Sequence, residues 1–232
     1  MKTVRGDHRM IMQRRRAALL AVLLPLVAAT PALAENERSY DLPPFDRIDV
    51  SAGIKVIAAA GAPQSVVVKA VNGDFKDIEI EVKDGELSIS REWNRLRWHD
   101  KRTQYKVTVS ADTLRGISAS SGSHAMLSNI DANAFLIDMS SGAHAEVAGE
   151  SSVCALDLSS GANLDAGKLF CDVAEIDVSS GGHGVIYVRD AVEGDASSGG
   201  HVTVYGSPTQ VRLDRSSGGR IIIKTEAQAK RR

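Results

Sequence analysis

Apolar and polar residues alternate along much of this chain. Ile137-Asp138-Met139-Ser140, Leu156-Asp157-Leu158-Ser159 and Ile176-Asp177-Val178-Ser179 each read apolar, polar, apolar, polar. A period of two predicts a strand with one buried face. His144-Ala145-Glu146-Val147 and His201-Val202-Thr203-Val204 alternate in the same way. Between the two kinds of run stands the phrase Ser-Ser-Gly, beginning at Ser120, Ser140, Ser159, Ser179, Ser197 and Ser216, with glycine spacings of 20, 19, 20, 18 and 19 residues. A period near 19 with β-type residues between the marks predicts a solenoid whose repeat is strand, corner, strand and a looser bend. Glycine gives the corner its positive φ, and serine hydroxyls can bond the local backbone. Coils stacked about 4.8 Å apart would make six repeats into a rod about 30 Å long. No single coil can bury its apolar face alone; the stack can. The pattern therefore predicts an all-β, single-stranded parallel β-helix, without fixing its hand.

The region before the repeats is β-rich but less regular. Phe45 to Ile54 contains Asp49-Val50-Ser51-Ala52-Gly53 and reads as an earlier coil or an opening cap. Val66 to Val68, Ile78 to Val82, Leu87 to Ser90 and Tyr105 to Val109 read as strands, and Asp84-Gly85 as a hairpin turn. Arg91 to Arg102 differs, holding Trp93, Arg95, Arg97 and Trp98 among further basic residues. Aromatics beside arginine can grip a sugar or an anionic polymer. The plainer reading is a loop that covers the open end of the core.

Residues 1–34 read as a signal peptide: Arg14-Arg15-Arg16, an apolar run from Ala17 to Ala29, then Ala32-Leu33-Ala34. Both Sec and twin-arginine export fit. Residues 35–225 then form one domain, irregular over 40–112 and regular over 113–224, with a polar, disordered tail at 226–232. The leader holds most of the excess basic charge, so the formal net charge of −1 becomes about −6 after cleavage. An acidic mature chain argues against nucleic acid. No later apolar run is long enough for a membrane span, so a soluble periplasmic or extracellular protein is expected. Export permits a disulfide between Cys154 and Cys171. They fall three places apart in the repeat, so a bridge and two buried thiols both remain open.

The opening Phe45-Asp46-Arg47-Ile48-Asp49-Val50, the turn Val82-Lys83-Asp84-Gly85-Glu86-Leu87-Ser88-Ile89, the serial Ser-Gly phrases and Tyr205-Gly206-Ser207-Pro208 together resemble the bacterial GIN-domain family, labelled auto-transporter adhesin head domains. The resemblance spans about residues 40–224. It implies an exported right-handed β-helix with no established enzymatic activity. Where many relatives read Ser-Gly-Ser-Gly, this chain ends the phrase in His124, His144, Asn163, His183, His201 or Arg220.

Two outward columns carry the candidate chemistry. Asp138, Asp157, Asp177, Asp195 and Asp214 each stand two residues before a phrase. Neighbouring carboxylates at that spacing repel by about 0.9 kcal/mol in water. Calcium, which takes oxygen ligands, would relieve this; otherwise the column is a solvated acidic stripe. His124, His144, His183 and His201 form the second column, interrupted by Asn163. A zinc site needs three or four converging ligands, and a straight row offers two; the alternative is stacked polar side chains. No cofactor is required by either. The serines repeat too uniformly for a catalytic triad. The expected function is a non-enzymatic binding or structural module, meeting a polysaccharide or an envelope protein. A polysaccharide-active β-helix enzyme and a ligand-free envelope assembly or stress protein are the alternatives. Uncovered end strands make a homodimer through the coil ends an expected partner state.

Overall fold

A computed structural model of the chain describes residues 36–92 and 103–225. All regular elements among them are strands. The N-terminal part comprises β1 (Glu37–Tyr40), β2 (Arg47–Val50), β3 (Lys55–Ala60), β4 (Ser65–Asn72), β5 (Ile78–Lys83), β6 (Glu86–Arg91), β7 (Gln104–Ala111) and β8 (Gly116–Ala119). Four long strands follow: β9 (His124–Met139), β10 (His144–Leu158), β11 (Asn163–Val178) and β12 (His183–Ala196). The chain closes with β13 (His201–Gly206), β14 (Gln210–Arg215) and β15 (Arg220–Lys224).

The strands stack as a parallel β-solenoid. Each long strand pairs in parallel with the coil before it and the coil after it. Alternate side chains point inward, as the period of two requires. Ile137, Met139, Ala145, Leu156, Leu158, Leu164, Ile176 and Val178 are all buried. At the last coil the inward column ends in Val211, 49% exposed, and in the exposed Arg215, which pairs with the buried Ala196. The inward row is left bare there.

The N-terminal end is built differently. Phe45 to Ala60 is a true coil, with β2 and β3 continuing the parallel stack against β8 and β9. A later segment then lies on its far side: β6 pairs with β2 and β7 with β3, both parallel. Antiparallel strands finish that end, β5 on β6, β4 on β7 and β1 on β4. The hairpin predicted at Asp84-Gly85 joins β5 to β6, with both residues at positive φ. Arg91 and Thr103 flank the segment holding Trp93, Arg95, Arg97 and Trp98, which lies outside the described residues, as do the leader and the tail. Arg91 donates to Asp77 at 2.8 Å, Thr103 O at 2.6 Å and Ala52 O at 3.1 Å. The Tyr105 hydroxyl donates to the Asp77 carboxylate. Burial, then that acceptor, pushes the Tyr105 phenol up to about 12.

Candidate functional site: the two corners of the coil

Each Ser-Ser-Gly phrase is a tight turn with two left-handed residues. Ser141 has φ 52° and Gly142 φ 69°, and Ala143 N–H donates to Ser140 O at 3.0 Å. Positive φ at both central positions defines a type I′ turn. Positive φ, expected for the glycine, is adopted by the second serine too. The same geometry opens the stack at Ser51, where Ala52 stands in that place with φ 59°.

Successive turns are bonded to one another. Gly122, Gly142, Gly161, Gly181 and Gly199 N–H groups donate to the carbonyls of Ser141, Ser160, Ser180, Ser198 and Ser217, at 3.1 to 3.2 Å. The inter-coil ladder therefore runs unbroken around this corner. It offsets the strain of a left-handed serine, roughly 1–2 kcal/mol each. The residue after the glycine turns inward and shrinks along the stack: Ser123, Ala143, Ala162, Gly182, Gly200, Gly219. Ser123 Oγ donates to Val50 O at 3.1 Å, whereas a Cβ on Gly200 would lie 2.6 Å from Val178 O. The turn's own hydrogen bond shortens in step, from 3.1 Å at Ser123 to 2.7 Å at Gly219.

The aspartates and histidines flank this corner in register. Asp138, Asp157, Asp177, Asp195 and Asp214 pair in one row, all exposed. The row continues through Ser118 to Asp49. Burial, then Asp138 and Asp177, holds the Asp157 carboxyl above its ordinary value. Burial, then Glu86 and Asp138, does the same at Asp49.

The other row reads Lys106, Lys55, His124, His144, Asn163, His183, His201 and Arg220. The His124 and His144 rings are 4.5 Å apart, and His183 and His201 6.1 Å. Burial, then His144 and Lys55, lowers the His124 pKa against an opposing Glu146. Burial, then Arg220, His183 and Lys224, lowers that of His201. Among the described residues no three His, Cys, Asp or Glu side chains gather closely enough to hold a metal ion.

The second corner is irregular. The register shifts between Glu146 and Ala148 and again between Ala166 and Phe170. Cys154 and Cys171 are joined there by a disulfide, with Cα atoms 6.0 Å apart. Cys171 pairs in register with Ser151, and Cys154 with Ala174, the three-place offset read from the spacing. The bond forms because inward parity switches at the bend. Ser151 and Cys154 are both buried, with Val153 between them 43% exposed.

The outer surface of this corner carries no repeated phrase. Asp46 accepts ion pairs from Arg115 at 3.4 Å and Arg47 at 3.8 Å. Arg189 reaches Asp172 at 3.1 Å and Glu150 at 3.4 Å, and its guanidinium lies 5.5 Å from the centre of the Phe170 ring. One signal was legible. Leu136, two residues before Asp138, sits at outward parity and is 51% exposed.

The family model described as "Putative auto-transporter adhesin, head GIN domain" matches residues 44–208. No curated protein matches the chain. Solved structures share the fold. A "putative adhesin" of Bacteroides fragilis is 18% identical, with a TM-score of 0.61 over 82% of this chain and 95% of that one. Another from Parabacteroides merdae is 12% identical, with a TM-score of 0.51 over 82% and 95%.

Proposed function

Because the chain belongs to the family of adhesin-type head GIN domains, we propose that it is an exported, non-enzymatic binding or structural module that meets a polysaccharide or envelope protein along its Ser-Ser-Gly corner. The observation behind this reading is the bonded row of turns, which holds the flanking aspartates and histidines at one fixed spacing. A rigid array with a strand-spacing repeat suits a partner that itself repeats. Asp49 and Asp157, whose carboxyls have raised pKa, both stand in the Asp row, Asp157 exposed and Asp49 half-buried. A glycosidase instead sets a raised carboxylic acid across a cleft from a second carboxylate. Export is supported by the leader pattern before Glu35.

Fractionating cells that express the full chain tests the reading. The protein should lie beyond the cytoplasmic membrane with Glu35 as its first residue, and should bind isolated cell envelopes. Asp157→Asn with Asp177→Asn should weaken that binding. Retention of the uncut chain in the cytoplasm would defeat the proposal.

A further inference from the structure

Along the second corner three depressions run together. The first, about 680 Å³, is lined by Pro44, Asp46, Arg47, Gln64, Arg115 and Leu136. It shares Thr113, Arg115 and Ala134 with a second of about 260 Å³. That one shares Asp131, Ala132 and Asn133 with a third, whose far wall is Glu150, Asp172 and Arg189. The result is a groove that crosses coils from β2 to β12, five strand steps or about 24 Å. Outward apolar side chains border it: Leu136, Val153, Val173 and Phe170 are 51%, 43%, 40% and 36% exposed.

We infer that this groove binds a linear, uncharged polysaccharide. The inference rests on reading the chain as a binding module, and gives it a second contact opposite the Ser-Ser-Gly corner.

Three observations select the ligand. A groove along the stacking axis fits an extended polymer better than a compact molecule. The strands in its walls, β2 and β9 to β12, are each paired on both sides, and loops supply Pro44, Gln64, Asp84, Asp112 and Arg115, so no free strand edge is left for a peptide to add to. Its charge also excludes polyanions. Asp46, Asp84, Asp112, Asp131, Glu150 and Asp172 face Arg47, Arg115 and Arg189, and every one of these guanidiniums is ion-paired. What remains is a set of carboxylate, amide and hydroxyl groups beside apolar platforms. Sugar hydroxyls donate to such carboxylates, while the C–H face of a pyranose ring lies on Leu136. The Gln64 amide already donates to Leu42 O at 2.9 Å and Pro43 O at 3.1 Å, so this end of the groove is preformed.

The test is retention of the full exported chain on immobilised β-glucan, mannan, galactan, alginate and polygalacturonate. At least one of the three neutral polymers should retain it more strongly than either polyuronate. Leu136→Asp should reduce that retention about tenfold, as should Glu150→Gln with Asp172→Asn, an effect of about 1.4 kcal/mol. Leu136 and Glu150 are exposed and Asp172 is half-buried, so the variants should melt near the wild-type temperature. The inference is overturned if no neutral polymer retains the chain, if a polyuronate retains it better, or if the groove variants bind as wild type does. Envelope binding that still depends on Asp157 and Asp177 would then leave the proposed function standing.

Discussion

The two corners of each coil solve the same geometric problem in opposite ways. The first repeats one phrase almost to the residue; the second changes sequence, register and covalent linkage from coil to coil. Conspicuous repetition does not mark the tightest constraint. A Cβ added to Gly122, Gly142, Gly161, Gly181, Gly199 or Gly218 would meet nothing within 4 Å, so these glycines answer only to their positive φ. At the second corner Gly149 and Gly206, each five residues after a histidine of the row, have φ 142° and 113°, and a Cβ there would lie 2.2 Å from Ile130 O and 1.9 Å from Val188 O. These two glycines are sterically locked; those of the Ser-Ser-Gly phrase are merely eased.

Substitution can break this contrast. Gly149→Ala should cost on the order of 4 kcal/mol, among the large effects that backbone clashes produce. At roughly 2–4 °C per kcal/mol for a domain of this size, the melting point should fall by roughly 10 °C. Gly142→Ala should cost only about 1 kcal/mol, and equal losses at the two sites in thermal melts would defeat the contrast. Next in size is the disulfide. Cys154→Ala with Cys171→Ala should lower stability by about 3 kcal/mol, through the freedom returned to a loop of nearly one coil. A melt of the oxidised chain against the double variant measures it.

The smallest effects lie in the two flanking rows, where pH acts with opposite sign. The His124 and His201 pKa values are lowered in the folded chain. Their full stability is therefore present above the unfolded value of about 6.5, and is lost as pH falls through it. Asp49 and Asp157 have raised values. They weaken the fold at neutral pH, and acidification through the folded value relieves them. His124→Asn with His201→Asn should flatten the loss between pH 8 and 5.5. Asp157→Asn should raise the melting point at pH 7 but not at pH 3. Each residue should contribute below about 0.5 kcal/mol, since exposed charges are well screened. A pH profile unchanged by the histidine pair would show that this row is not the cause.

The first corner was legible because its chemistry is local. Two-residue alternation fixed which side chains point inward, and the Ser-Ser-Gly spacing fixed the register of Asp138 with Asp157 and of His124 with His144. The opening coil at Ser51 was visible for the same reason. The placement of β6 and β7 outside β2 and β3 was not, because pairing between strands distant in sequence leaves no mark in either one. The groove was hidden likewise. Asp46, Arg115 and Arg189 come from segments with no shared phrase, and only folding brings Asp46 beside Arg115. Alternation did expose one anomaly, an apolar Leu136 at a polar place. The Cys154–Cys171 bond depended on a parity switch at a bend that the spacing alone could not locate.

The order of strands at the N-terminal end sets a direction for assembly. The β2–β3 coil lies between β6–β7 on one side and β8–β9 on the other, so neither flank exists until residues far downstream have emerged. Once β7 has docked, each further coil needs only the 18 to 20 residues that follow it, and its partner edge is already waiting. A chain threaded through a membrane from its N-terminus would therefore pause at one slow, non-local closure and then zip up coil by coil.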